Sequence, residues 1–256
     1  MSAEAKNSGA GTGRLVLHGM GSPNVMKVVI MLEEFGLDYE LRHVAVFAQA
    51  QFAPEFLKLN PLGKVPVLED PRLGAPLAES GAILLWLAER EGRFLPAGQP
   101  QRAEVMQWLM VQMANVGPML GQVNHFDLAH TEAPQDYAKA RYRAIADRLY
   151  RLLDDRLATR AWIAGGDYSI ADMAIQPWAH YVERQGFDPA DYPALVAWRT
   201  RIDARPAVRR ARARAAEAFD EAATRTRRAA TSEDLDRFFG RTGEVPAADY
   251  SLVTKM

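Results

Sequence analysis

Apolar positions in the first hundred residues fall into short runs separated by stretches at helical spacing. Leu15-Val16-Leu17 reads as the start of a strand, and Val28, Met31, Leu32 and Phe35 recur at helical spacing over residues 23–35 until Gly36 stops the pattern. Residues 39–46 read as a second strand, 54–59 as a short helix, 65–69 as a third strand interrupted by Pro66, and 75–78 as a fourth after the turn-like stretch 70–74. A helix over 80–90 closes the series. The order strand-helix-strand-helix-strand-strand-helix predicts an α/β domain over residues 14–94 with helices packed on a small mixed sheet. Residues 1–13 form a flexible arm before it, and 95–100 a linker after it.

Beyond Pro100 the texture changes to long helical patterns at residues 103–112, 137–159, 170–185, 192–205 and 207–226. They predict an all-α second domain over 101–226. Ser169-Ile170-Ala171-Asp172 reads as a capping box whose role is folding. Met106, Met110 and Met113 make a helical stripe suited to core or dimer contact. Residues 227–256 form a tail, and its last part, from Gly240, lacks periodicity, so it wraps the surface or stays mobile.

Composition narrows the chemistry. The 256-residue chain is 48% hydrophobic and 25% charged, enough to bury one large core or two smaller ones. A formal net charge of −1 gives no global pull toward nucleic acid or anionic lipid. The arginine-rich run from Arg205 to Arg214 is interleaved with alanine and followed by Glu217, Asp220 and Glu221, which reads as a solvated helix face. Cysteine is absent, so any thiol chemistry must arrive with a ligand. The five histidines show no metal-ligand spacing, so no metal site is expected, and no flavin or nicotinamide motif appears. The N-terminal stretch lacks the apolar core of a signal peptide and no membrane-spanning run follows; a cytoplasmic address is expected.

Ser22-Pro23-Asn24 then stands out. Ser22 can cap the helix, Pro23 fits its first position, and Asn24 adds an amide beside exposed backbone donors, so this helix start is suited to an anion such as a thiolate. Taken alone, the triplet reads first as a plain helix cap. Pro66 reads as an edge-strand proline, and Ser80 as a cap.

These segments occur together with Asn60-Pro61-Leu62-Gly63-Lys64-Val65-Pro66-Val67-Leu68, Glu79-Ser80-Gly81-Ala82-Ile83, Gln51-Phe52, Gly117-Pro118-Met119-Leu120-Gly121-Gln122 and His125-Phe126. In that combination the chain, over about residues 15–216, resembles a cytosolic glutathione transferase, and within that superfamily the bacterial nu class. The resemblance implies a thioredoxin-like N-terminal domain, an all-helical C-terminal domain, a homodimer, and glutathione as co-substrate. It implies that Ser22 and Asn24 hydrogen-bond the glutathione thiolate. Val65, before a cis Pro66, is implied to pair with the cysteinyl backbone, while Glu79 and Ser80 receive the γ-glutamyl end. Gln51 and Lys64 are candidates for the glycyl end, and each reads equally as a surface residue. Trp86, Met106 and Met110 are candidates for the dimer contact.

The class usually has Gly after the Pro-Asn pair, where Val25 stands, and Tyr is common at His18. Both positions are expected to face the second substrate, together with Asn124, His125 and Arg141 from the helical domain. Arg141 is placed to reach a second glutathione carboxylate or to bridge a neighbouring acid. The class is associated with glutathione-dependent disulfide reduction of a small-molecule substrate. Two other readings stay open: a transferase or lyase acting on carbon electrophiles such as aryl halides or β-aryl ethers, and a non-catalytic glutathione-binding regulatory module.

Overall fold

The structure, a computed structural model, describes residues 14–131, 134–241, 243 and 247–255; the arm expected at 1–13 lies outside them. Strand β1 (Leu15–Gly19) leads into helix α1 (Pro23–Phe35), which returns the chain to β2 (Tyr39–His43). Two short 3₁₀ turns, Val46–Ala48 and Ala50–Phe52, precede α2 (Pro54–Leu59), β3 (Val67–Glu69), β4 (Leu77–Ala78) and α3 (Ser80–Glu91). The sheet order is β2-β1-β3-β4, with β1 parallel to β2 and antiparallel to β3. This is the predicted mixed sheet. The third strand begins two residues later than the alternation suggested, so Val65 lies outside the ladder.

Helix α1 shows why the sequence folds this way locally. Ser22 is its N-cap and accepts from the Val25 N–H at 3.4 Å, Pro23 takes the first position, and Gly36 ends it at φ 67°, where a side chain would be strained. Val28 to Leu32 are fully buried against the sheet and the helical half. Val25 is buried too. A Cβ on Gly19 would lie 2.6 Å from Val25 Cγ1, so the close approach of α1 to β1 requires glycine there.

The second half is helical throughout: α4 (Gln101–Val111), a π-helical turn at Gln112–Val116, α5 (Gly117–Leu128), α6 (Asp136–Leu157), α7 (Ile170–Ala179), α8 (Tyr181–Arg184), α9 (Pro193–Asp203) and α10 (Pro206–Ala229). Helix α5 carries no clean apolar stripe and was not visible in the pattern. The predicted helix over 170–185 breaks at His180 into α7 and α8. Helix α7 is buried at all ten positions and starts at the expected capping box: Ser169 and Asp172 exchange bonds, and the Asp172 carboxylate also accepts from Ile163 N–H and the Trp198 indole, each at 2.9 Å.

Two expectations need correction. The arginine-rich run is no free solvated face: Arg205 pairs with Glu34 at 2.5 Å, while Arg210 and Arg214 pair with Glu33, each at 2.9 Å, so α10 is tied to α1 across the two halves. The acids that answer these arginines lie about 170 residues away, so no local pattern joins them. The tail, for its part, is built into the fold. It forms α11 (Ser232–Phe238), β6 (Ala248–Asp249) and α12 (Ser251–Lys255), with β6 pairing antiparallel to β5 (His130–Thr131). Leu235, Tyr250 and Val253 are buried in a cluster with Val44, Val46, Phe47 and Phe56 of the N-terminal half.

Candidate functional site

The N-termini of α1 and α3 converge on a cleft of about 450 Å³ where the two halves meet. Asn24, Lys64, Val65, Pro66, Glu79 and Ser80 line it from the α/β side. Gln112, Met113, Gly117, Gly121 and Trp178 line it from the helical side.

The turn before Pro66 is shaped by Asn60. Its side-chain amide donates to the Lys64 carbonyl at 2.8 Å and its Oδ1 accepts from the Leu62 N–H at 3.1 Å. The Val65-Pro66 peptide is cis, as the resemblance implied. With Val65 outside the β-ladder, its N–H and C=O are not consumed by strand pairing, and the residue presents an edge to the cleft.

At the start of α3, Glu79 holds the N-cap position at φ 68°, a left-handed value unusual for a residue with a side chain, and makes no side-chain cap. The carboxylate is exposed and, among the described residues, forms no ion pair. Ser80 does not cap either. Its buried hydroxyl accepts from Lys27 Nζ at 3.2 Å, so the capping alternative for Ser80 is set aside in favour of a cleft-facing role. The first N–H groups of α3 are left without intrahelical partners beside this hydroxyl.

Lys27 is fully buried, donates to Gln112 Oε1 at 2.7 Å as well as to Ser80, and lies 3.9 Å from Met113 Sδ. Burial pulls its ammonium down to about 7, with the Glu79 charge acting in the opposite sense. The sequence reading missed this residue. A lone lysine inside the apolar run Val25–Leu32 was the available signal. Gln112 and Met113 were missed as cleft residues for a different reason: the π-helical turn at 112–116 turns them inward, and no propensity marks such a turn. Met113 therefore departs from the core-or-dimer stripe assigned to it, whereas Met110 is 49% exposed.

Asn24 faces the cleft, and its Oδ1 accepts from the Trp178 indole at 3.2 Å. Ser22 lies at the other edge of the same helix start, in a neighbouring groove of about 320 Å³ that Met26, Tyr181 and Arg212 also line. Gln51 is buried behind the Gly63 turn, with Oε1 lacking a partner among the described residues, and does not line the cleft; Lys64 is exposed at the rim.

The five residues expected to face a second substrate are not brought into either groove. His18 points to the other face of β1, bonded to Glu69 at 2.6 Å and edge-on to Phe56. Val25 is core. Asn124 accepts from Gln185 at 2.9 Å within a network that includes Tyr150. His125 is covered by Phe239 of the tail, and its pKa is lowered by burial and then by the Arg241 charge. Arg141 is exposed on α6 and neither reaches the cleft nor forms an ion pair among the described residues. The stripe of α5 that does face the cleft is Gly117, Pro118, Gly121 and Gln122.

Residues 14–89 match the family described as Glutathione S-transferase, N-terminal domain, and residues 118–206 match Glutathione S-transferase, C-terminal domain. The Escherichia coli protein named disulfide-bond oxidoreductase YfcG is 46% identical over 193 residues, spanning 73% of this chain and 88% of that one. A glutathione transferase from Pseudomonas putida, solved with one glutathione disulfide bound per subunit, superposes with a TM-score of 0.72 at 40% identity, covering 77% of this chain and 90% of the other. A family member from Pseudomonas fluorescens, solved with two glutathione bound, gives a TM-score of 0.71 at 40% identity, covering 77% and 92%.

Proposed function

Because the chain belongs to the glutathione S-transferase family, we propose that it is a nu-class enzyme that binds glutathione in the cleft between its halves, holds it as the thiolate, and reduces disulfides. The observation that carries this reading is the meeting of two helix N-termini at one cleft: α1, with Asn24 in the cleft and Ser22 at its outer edge in the neighbouring groove, and α3, with Glu79 and Ser80 in the cleft. A glutathione laid between them places its sulfur at the start of α1 and its γ-glutamyl carboxylate on the free N–H groups of α3, with Glu79 meeting the ammonium. Val65 supplies an unpaired backbone edge for the cysteinyl unit.

A free thiol has a pKa of ~8.5, so holding a thiolate at neutral pH asks for a drop of about two units, or roughly 2.7 kcal/mol. The N-terminus of α1 contributes about 0.3–2 kcal/mol and a hydrogen bond to the charged sulfur about 1.5–3 kcal/mol, which together suffice. The thiolate then attacks one sulfur of the substrate disulfide, forming a mixed disulfide and releasing one substrate sulfur as its thiolate. A second glutathione thiolate attacks the glutathione sulfur of that mixed disulfide, giving glutathione disulfide and the second substrate thiol. Relatives solved with glutathione disulfide or with two glutathione bound fit that sequence. A second copy of this chain is the expected partner, with Met110 exposed on α4 as a contact candidate.

The carbon-electrophile alternative drew on His18 and Val25 facing the substrate, and neither lines the cleft or the neighbouring groove beside Ser22. Steady-state reduction of a small model disulfide, coupled to glutathione reductase, tests the proposal. Wild-type protein turns over, and Asn24→Ala loses about 10- to 100-fold in kcat, the worth of one hydrogen bond to a charged sulfur. Ser22→Ala loses less, since its hydroxyl also serves the cap. Turnover of an aryl halide but not of the disulfide would assign the same thiolate to carbon chemistry.

A further inference from the structure

A side-chain amide can serve a thiolate only through its NH₂ group, because its oxygen would meet the sulfur with like charge. Nothing in α1 itself fixes which way Asn24 points. The Trp178 indole does: its N–H is a donor with no acceptor capacity, and at 3.2 Å it can be satisfied only by Asn24 Oδ1, which turns both amide hydrogens away from the indole. We infer that Trp178 is a positioning residue for the reaction, locking the Asn24 amide in the orientation that donates to the glutathione sulfur. The inference rests on the proposed function and deepens it, because it assigns control of the reactive amide in the α/β half to a residue of the helical half.

The surroundings of Trp178 are built to hold it still. The side chain is 6% exposed and sits near the end of α7, whose start is fixed by the Ser169–Asp172 box and whose ten residues are all buried. The ring lies against α5 where that helix carries glycine: Cβ atoms added to Gly117 and Gly121 would sit 3.7 and 3.8 Å from the indole, in ordinary van der Waals contact, and at Gly117 the tighter neighbour is the Gln112 side chain at 2.8 Å. Its other flank meets Tyr181, with ring centroids 5.5 Å apart. Gly117 and Gly121 thereby acquire a physical role. They let α5 pass beside the orienting indole at van der Waals distance.

Titrating the ultraviolet thiolate absorbance of bound glutathione in wild type, Trp178→Phe, Asn24→Ala and the double variant tests the inference. Phenylalanine keeps the ring contact and removes only the N–H. The expected result is an upward shift of the bound thiol's pKa by about one unit in Trp178→Phe, with affinity for S-methylglutathione within about twofold of wild type. The double variant should match Asn24→Ala, since an absent amide cannot be misoriented. A Trp178→Phe titration identical to wild type, or shifts that add in the double variant, would overturn the positioning role while leaving thiolate activation intact. No thiolate in wild type, or no shift in Asn24→Ala, would instead remove the underlying reading and this role with it. Should Trp178→Phe fail to fold, the indole N–H resonance of Trp178 decides: it must move in Asn24→Ala, and an unmoved resonance overturns the hydrogen bond.

Discussion

Lys27 is a charge placed where charge is expensive, and its neighbours show what that placement is for. The ammonium has two oxygen partners, Ser80 and Gln112, yet among the described residues it has no carboxylate within ion-pair distance. Its folded pKa, about 7, lies below the ordinary lysine value, so folding sheds a proton at pH values between the two, and Lys27 opposes folding most strongly below pH 7. An anion arriving at Ser80 reverses this. It raises the lysine's pKa again, so binding at pH 8 should draw in a fraction of a proton. Calorimetry with S-methylglutathione, whose sulfur cannot ionise, in two buffers of different ionisation enthalpy should show that uptake in wild type and its loss in Lys27→Met. Equal uptake in both proteins would exclude Lys27 as the proton acceptor. This lysine was legible only as an oddity in an apolar run. Its partners lie 53 and 85 residues away, and no local pattern joins them.

Helices whose ends carry side-chain chemistry were readable almost to the residue; helices defined by packing were not. Residues 23–35 and 54–59 coincide with α1 and α2 because Ser22-Pro23, Gly36 and Pro54 punctuate them. The capping box at the start of α7 was equally plain, since Ser and Asp at that spacing satisfy local donors. By contrast α5, which presents glycines to Trp178, lacks the apolar stripe that periodicity detects, and the π-helical turn before it changes which residues face the cleft. The same limit explains the second-substrate residues. Resemblance placed Asn124 and His125 on the right helix, but Gln185 and Phe239, distant in sequence, occupy them. For α7 the consequence is energetic. Asp172 is fully buried and satisfies Ile163 N–H, Ser169 N–H and hydroxyl, and the Trp198 indole, so Asp172→Ala should cost about 3 kcal/mol or more in urea unfolding. Burial lifts its carboxyl to about 6, above the unfolded value near 3.8. A raised carboxyl favours the folded state fully below the unfolded value and loses that contribution as pH rises through about 6, so Asp172→Asn should flatten the stability profile between about pH 4 and 6. An unchanged profile would show that Asp172 does not titrate there.

The two halves are joined at two places. At one, Arg205, Arg210 and Arg214 of α10 hold Glu34 and Glu33 of α1, and Glu33 also accepts from Tyr39 at 2.8 Å. At the other, the chain beyond α10 folds back over the turns at 46–52: Phe238 packs on Phe47, Gln49 donates to the Asp234 carbonyl at 2.6 Å, and Arg237 lies over Phe52. This brace bears on the loop that holds Gln51. Truncation after Ala229 should therefore speed amide exchange at residues 44–52 at least about tenfold and lower the melting temperature by a few degrees, while α7 stays protected. Unchanged exchange in that loop would mean that the segment covers the N-terminal half without supporting it. The proposed chemistry rests on glutathione being held as a thiolate at the start of α1. The pH dependence of kcat/KM for the disulfide at saturating glutathione, which reports the ionisation of the glutathione-bound enzyme, tests it most directly. A break near pH ~6.5 is expected in wild type, moving toward the free-thiol value of ~8.5 in Asn24→Ala; a wild-type break at the free-thiol value would contradict thiolate activation.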